Sequence, residues 1–354
     1  MKNIYLQLLE KPEEAYPLVL ATVTATSGST PQKPGSTALF GLSGLMSGTV
    51  GGGILEGKVQ QIVKKIINTK ESGLYYFNLD NDISHQEGAI CGGRAGILVD
   101  ASPGDHLRVF KQMRNSLAQR IPGVLVTQAV KQCDNKAAVT RFWVAGSNKN
   151  ALPAEHFEQL EPLVDDILAA GNPSDYREVK LNVDEQEAIF SLEAVFPLPQ
   201  LIIAGAGHIG KALAHLGSLL DFEVTVIDDR AEYASRENLP DADHIIVENI
   251  GQSLHAISKT SDTYIVIVTR GHKDDAGALR ACIGSEAAYT GMIGSTRKIA
   301  LMKKQFLDEG WASPEQWDTV YAPIGLKIPG KTVQEIAVSI AAQLIEKRNS
   351  QVKG

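Results

Sequence analysis

Cysteine is scarce in this chain: Cys91, Cys133 and Cys282 stand far apart and are odd in number. Such a set makes neither a disulfide framework nor a recognisable zinc site, and it suits a reducing compartment with free thiols. Long apolar runs are missing too. No stretch approaches the ~18 apolar residues of a membrane span. The opening MKNIYLQLLEKPEEAYPL carries glutamates where a secretory signal would have its apolar core. An excess of positive charge is also lacking, since Lys and Arg number 34 against 41 Asp and Glu. That balance argues against a general nucleic-acid surface, while local basic pockets around one small anion stay open. A cytoplasmic protein is expected, with neither nucleic acid nor membrane among its partners.

What is present is the composition of a folded chain, 44% hydrophobic and 21% charged over 354 residues. That length is too great for one ordinary core, so two domains are expected. An N-terminal helix ending before Pro17 leads into a buried strand, LVLATVTAT (18–26). STALFGL and GLMSGTV form a hairpin that turns between Gly41 and Gly44. Leu55, Val59, Ile62, Val63 and Ile66 then recur at helical spacing. Strands at 73–79 and 95–100 follow, with a helix marked by Leu107, Phe110, Met113 and Leu117. The middle segment, roughly 105–190, alternates further strands with a helix around 154–170 and carries no legible chemistry.

The character changes at AVFPLPQLIIAGAGHIG, where Pro197 and Pro199 make a stiff join. QLIIAG is a short apolar strand, AGHIGKALAHLGSLL a helix with small residues on its packing face, and FEVTVIDDR the next strand. HIIV, TYIVIVT and AYTGMI continue the alternation. Thr332 and Glu335 form a capping box for the last helix, whose core face is Val333, Ile336, Ala337, Ile340 and Leu344. The expected fold is α/β. An N-terminal α/β domain spans 1–195, and a C-terminal Rossmann-like domain with a doubly wound parallel sheet spans 196–354.

Glycine marks the candidate sites. Gly205, Gly207 and Gly210 form GxGxxG between a strand and a helix, and Asp228 lies about twenty residues on, at the end of the next strand. That is the dinucleotide fingerprint: one glycine for the turn, one for close approach of a pyrophosphate, one for helix–strand packing. His208 opens the helix, and Asp228 or Asp229 would accept from ribose hydroxyls, with Arg230 blurring the choice between NAD and NADP. VTRGHKDD places Arg270, His272 and Asp275 at the carboxyl end of a sheet strand, where open α/β sheets bind ligands. His272 beside two carboxylates is a candidate base or metal ligand; the alternative is that Asp274 and Asp275 merely favour a helix first turn. GMIGSTRK brings Gly294, Ser295, Arg297 and Lys298 to another strand–helix junction, suited to a phosphate or to a plain capped helix.

In the N-terminal half, TSGSTPQKPGS carries Gly28, Ser29 and Thr30, and GTVGGGILE carries Gly51, Gly52, Gly53 and Glu56. The three consecutive glycines before a helix form a candidate anion nest. A valine at position 52 is expected to abolish ligand retention and leave the fold largely intact. AICGG sets Cys91 beside Gly92 and Gly93, the only cysteine next to open backbone.

Taken together and in this order, GSTPQKPGS, GTVGGGILEG, AICGG, IIAGAGHIGKALA, VTVIDDR, TRGHKDD, GMIGSTRK and APIGLKIPGKTVQEIAVSIAAQLI resemble the XdhC/CoxI family, accessory proteins of xanthine dehydrogenase and related molybdenum hydroxylases. The resemblance covers both halves and leaves out the middle segment. It implies a cofactor-binding chaperone or insertase rather than a turnover enzyme. Such a protein binds the molybdenum cofactor (molybdopterin or its cytosine dinucleotide form), protects it during sulfuration by a cysteine desulfurase or sulfurase, and delivers it to an apo molybdenum hydroxylase. The Rossmann half would take the nucleotide end and the glycine-rich half the pterin or metal end. Cys91 then becomes the metal-proximal or sulfur-handling group, a soft thiolate suiting molybdenum better than a carboxylate. A homodimer is expected, because a labile ligand is shielded at a subunit interface. The family commonly has arginine after GSTP, and here Gln32 stands there, followed by Lys33; Gln32 offers only neutral hydrogen bonds to a phosphate. The rival reading is an NAD(P)-dependent oxidoreductase with His272 as acid or base.

Overall fold

Short apolar runs that alternate direction about the sheet plane explain most of the architecture. A computed structural model describes residues 3–11, 17–79, 93–146 and 148–351. By its contacts the chain divides into two units, Met1–Pro197 and Leu198–Gly354.

The first unit holds two sheets, both antiparallel. One is ordered β3-β2-β1-β5-β4, from β1 (Val19–Gly28), β2 (Thr37–Gly41), β3 (Gly44–Gly48), β4 (Gly73–Asn78) and β5 (Gly93–Asp100). The other is ordered β7-β6-β9-β8, from β6 (Gly123–Lys131), β7 (Ala137–Ala145), β8 (Tyr176–Val183) and β9 (Gln186–Val195). The period of two sends successive side chains to opposite faces. Val19, Ala21, Val23, Ala38 and Phe40 therefore pack against Leu55, Val59 and Val63 of α2 (Gly53–Ile66). Leu18, Leu20 and Leu39 join α1 (Ile4–Leu9), α3 (Leu107–Ala118) and Leu125, Trp143 and Val195 of the second sheet. The opposite face of that second sheet is covered by Leu160, Val164 and Ile167 of α4 (Phe157–Ala170). Both faces of the central strand β1 are covered over its first six residues, so its apolar side chains are not confined to alternate positions.

The second unit is a five-stranded parallel sheet ordered β12-β11-β10-β13-β14. Its strands are β10 (Gln200–Ala204), β11 (Glu223–Ile227), β12 (His244–Ile246), β13 (Thr263–Ile267) and β14 (Tyr289–Met292). Leu201, Ile203, Tyr264 and Val266 face α5 (His208–Leu219) and α10 (Val333–Gln351). Ile202, Ala204, Ile265 and Ile267 face α6 (Ile250–Ala256), α7 (His272–Arg280), α8 (Thr296–Asp308) and α9 (Pro314–Asp318). The sheet is doubly wound, and the strand order reverses between β10 and β13, the position at which such folds place ligands. The capping box at the start of α10 is formed: Thr332 Oγ1 accepts from Glu335 N at 3.2 Å, and Glu335 Oε2 accepts from Thr332 N at 2.9 Å. No helix among the described residues is long and apolar enough to cross a membrane.

Candidate functional site

In the N-terminal unit three glycine-bearing segments meet at one end of the first sheet. Gly28 ends β1 and pairs with Gly93 at the start of β5. A Cβ at Gly93 would stand 2.6 Å from the Ser27 carbonyl oxygen, 2.9 Å from that of Ser29 and 3.1 Å from Thr30 Cγ2. Only a glycine lets this strand and the following loop touch. On the other side of that loop, a Cβ at Gly51 would lie 2.7 Å from Pro31 Cγ. Loop 29–36 is thus packed between Gly93 and the glycine turn.

The turn itself is built from backbone. Gly51, Gly52 and Gly53 have φ of +134°, +62° and +49°, and a Cβ at position 52 or 53 would meet nothing within 4 Å. Gly52 caps α2 without any side-chain hydrogen bond, so the first N–H groups of a 14-residue helix open onto unfilled space. Thr49 pins the turn from behind: its hydroxyl accepts from Gly51 N at 3.0 Å and donates to Glu56 Oε2 at 2.9 Å. Glu56 therefore serves the turn rather than pointing away from it. Gly52 lies at φ +62°, ψ −174°, a region almost confined to glycine. A valine there strains the loop itself, so the expectation that the fold would be indifferent to it does not survive the geometry. Gln32 is turned inward, its Oε1 accepting from Ser36 Oγ at 3.0 Å, while Lys33 is exposed on the same loop. The positions of Cys91 and Gly92 lie outside the described residues.

In the C-terminal unit the three fingerprint glycines have three separable roles. Gly205 has φ +115°, and a Cβ there would come within 2.6 Å of the Val268 carbonyl oxygen. At Gly210 it would stand 1.9 Å from the Gly205 carbonyl oxygen, so α5 could not close on β10. At Gly207 it would meet nothing within 4 Å. This middle glycine, with ordinary φ of −68°, borders open space at the N-terminus of α5, where the first backbone N–H groups have no intrahelical partners. His208 is exposed beside it.

Asp228 is folded inward. Its Oδ2 accepts from Ala206 N and Arg230 Nη2, both at 2.8 Å, and its Oδ1 accepts from Arg230 Nε at 2.8 Å and Arg230 N at 3.1 Å. Burial pushes this carboxyl up, but the bonds from Arg230 and Ala206 N outweigh it and hold it below the usual carboxylate range. A carboxylate with both oxygens so engaged braces the glycine loop, and Asp229, which is exposed, is the one presented outward. Arg230 in turn stacks on Tyr233, 3.9 Å from the ring centroid.

The other two motifs of this unit are brought together at the carboxyl ends of β13 and β14. Asp275, fully buried in the first turn of α7, accepts from Thr269 Oγ1 at 2.5 Å and pairs with Lys298 of α8. Enclosed in this way it positions Lys298 and is not offered to a ligand as an acid or base. Ser295 caps α8 by accepting from Lys298 N at 3.2 Å. A Cβ at Gly294 would stand 2.7 Å from Ile299 Cδ1, a packing role. Arg270 and Arg297 are exposed at the same end of the sheet. His272 begins α7. A groove of roughly 600 Å³ along α5 and α10 touches His208 and no other candidate site residue.

Sequence reasoning passed over a polar cluster within the first unit. Glu193 on β9 accepts from Tyr5 Oη at 2.8 Å, Tyr176 Oη donates to Ser191 Oγ at 2.8 Å, and Arg141 is buried against Asp100. Its one mark in the sequence is a lone glutamate inside the apolar run AIFSLEAVF. Among the described residues no group of three His, Cys, Asp or Glu side chains is placed to hold a metal ion.

Known proteins resemble this chain over both units. Residues 201–344 match the model of the XdhC Rossmann domain, and residues 13–78 match that of the XdhC and CoxI family. A probable xanthine dehydrogenase subunit from Bacillus subtilis is 26% identical over 343 residues, covering 96% of this chain and 95% of that protein. The uncharacterized protein YqeB of Escherichia coli is 31% identical over 153 residues, which are 43% of this chain and 28% of that one. A crystal structure titled as a xanthine dehydrogenase from Bacillus halodurans superposes with a TM-score of 0.73 at 24% identity, covering 98% of this chain and 95% of the other; at that identity it speaks for the fold. The two family models together with the full-length relative show that the chain belongs to the XdhC and CoxI family.

Proposed function

We propose that this protein is an accessory factor of a xanthine dehydrogenase-type molybdenum hydroxylase: it binds the molybdenum cofactor, shelters it during sulfuration and hands it to the apo-hydroxylase. The observation that carries this reading is the open backbone at Gly52, Gly53 and Gly207, where each unit leaves a helix N-terminus bare beside a glycine that needs no room for itself. Backbone N–H groups at such places suit the phosphate of molybdopterin and the diphosphate of its dinucleotide form. The residues present therefore fit the anionic parts of the cofactor. When bound, the cofactor supplies the molybdenum chemistry of the hydroxylase, and the protein's own groups bind, orient and shield it.

In this reading Gly28, Ser29, Thr30 and the glycines at 51–53 hold the pterin phosphate, with Lys33 as the local cation in place of the family's arginine. The loop 205–210 holds the nucleotide diphosphate, Asp229 faces the ribose, and Arg270, Arg297 and Lys298 supply positive charge at the sheet edge. Cys91 stands near the metal. The partners are the apo-hydroxylase and a sulfurase, the protein acts as a homodimer, and its place is the cytoplasm. Transfer to the partner is the decisive behaviour: the cofactor-loaded protein mixed with apo-hydroxylase should restore hydroxylase activity in proportion to the molybdenum lost from it. Hydroxylase that regains activity equally well from free cofactor at the same concentration would remove the need for a carrier.

An NAD(P)-dependent oxidoreductase is the second reading, favoured by the fingerprint geometry alone. It needs an acid or base at the sheet edge, the part this reading gives to His272 at the start of α7, with Asp275 of the same turn engaged by Thr269 and Lys298. Oxidation of NADH or NADPH on addition of small carbonyl substrates, followed by nicotinamide absorbance, would bring it to the front.

A further inference from the structure

A cavity of roughly 480 Å³ lies within the N-terminal unit between loop 30–36 and the 173–176 turn, with Glu193 in its wall. We propose that this cavity seats the aminopyrimidinone edge of a pterin, with Glu193 accepting its paired N–H donors. The inference rests on the cofactor-carrier reading and adds to it the part of the ligand that phosphate sites do not read.

The walls are flat and stiff. Pro31, Pro34 and Pro173 line the cavity together with Tyr176, whose hydroxyl is held by Ser191 and whose ring lies against Gly35. A Cβ at Gly35 would come within 3.1 Å of Tyr176 Cδ2. Prolines and a tethered tyrosine lose little freedom on binding, which favours a planar, rigid occupant. The polar group is a carboxylate with capacity to spare. Tyr5 Oη donates to Glu193 Oε2 at 2.8 Å, and among the described residues no hydrogen bond reaches Oε1. Arg141, the guanidinium nearby, is committed to Asp100.

A half-buried carboxylate carries a desolvation cost that N–H donors from an occupant would offset. The 2-amino group and adjacent ring N–H of a pterin present two parallel donors, the arrangement that makes guanidinium–carboxylate pairs strong. Loop 30–36 also borders the glycine turn through Pro31 and Gly51. One loop therefore faces both a cavity for a planar ring and an anion site for its phosphate.

The test titrates the purified full-length protein with pterin and with lumazine, which replaces the 2-amino group by an oxygen, following ligand fluorescence. Guanosine, with the same edge on a different ring, is the third probe. The wild type should bind pterin at least about tenfold more tightly than lumazine. Glu193→Gln, isosteric and checked by thermal melting, should reduce that preference to within about twofold. Equal binding of pterin and lumazine by the wild type overturns the proposal, as does an unaltered preference in the variant; guanosine binding in place of pterin overturns the assignment to a pterin. Molybdenum carried by the wild type together with indifference of pterin to Glu193 would sink this inference and leave the carrier reading standing. Glu193-dependent pterin binding by a protein that never carries molybdenum would do the reverse.

Discussion

At the scale of single residues, the fingerprint glycines separate folding from binding. Gly207 borders open space at an ordinary φ, so Gly207→Ala should cost at most about 1 kcal/mol of stability. The same change should weaken binding of ADP at least about tenfold, because the methyl group occupies the path of the diphosphate. Gly210→Ala drives a Cβ into the Gly205 carbonyl oxygen and should cost more than about 2 kcal/mol whether ligand is present or not. Denaturant melts and calorimetric titration of the two variants read these effects separately; equal destabilisation by both would contradict the assignment. Glu193 gives a second prediction. Burial pushes its carboxyl from an ordinary 4.5 up to about 7, against the pull of Tyr5 and Arg141. The folded state then holds a proton that the unfolded state has released, so this group's contribution is full below pH 4.5 and is lost as pH rises to about 7. Glu193→Gln should therefore be the more stable form at pH 8 and lose that advantage toward pH 5, as thermal melts across the range would show.

The glycines were legible because their spacing fixes where a strand turns into a helix; which of them make room for the chain itself, as Gly205 and Gly210 do, and which border open space, as Gly207 does, only the packing shows. Glu193 was not, because its meaning depends on pairing: Tyr176 stands opposite it in the β8–β9 register, and Tyr5 reaches it from 188 residues away in the chain. Asp228 and Asp275 were legible as positions but not as roles. A sequence places a carboxylate at a strand end; it does not say that Arg230 or Lys298 will fold over it.

At the scale of elements, the buried pair between α7 and α8 is a clamp joining the loops that follow β13 and β14. Asp275→Asn leaves Lys298 without its partner at a partly buried position, and should cost about 2–3 kcal/mol in denaturant melts. If the pair only positions Lys298, ligand binding should fall together with Lys298→Met, and the double variant should lose little more than either single one. Additive losses would show that the two act independently. Helix α10 shows an element read correctly from its start signal: Thr332 and Glu335 form the capping box, and Ala337, Ile340 and Leu344 are buried as the spacing requires. The strands of the first unit were equally readable as strands, but not their sheet order. β1 pairs with β5, passing over β2, β3, α2 and β4 in the chain, and nothing local encodes that choice.

At the scale of the whole molecule, each unit carries its own glycine-built helix N-terminus, and in each a carboxylate stands behind the turn, Glu56 through Thr49 in one and Asp228 on Ala206 N in the other. On the proposed reading the occupant is the molybdenum cofactor, and what supports it is bare backbone at Gly52, Gly53 and Gly207, where a Cβ would meet only open space. The most direct measurement is the molybdenum and pterin content of the protein expressed and purified without oxygen from a host that makes the cofactor, with Cys91→Ala alongside. The account predicts near-stoichiometric molybdenum and pterin in the wild type and loss of molybdenum in the variant. A protein free of both metal and pterin, yet saturated with NAD or NADP, would contradict it.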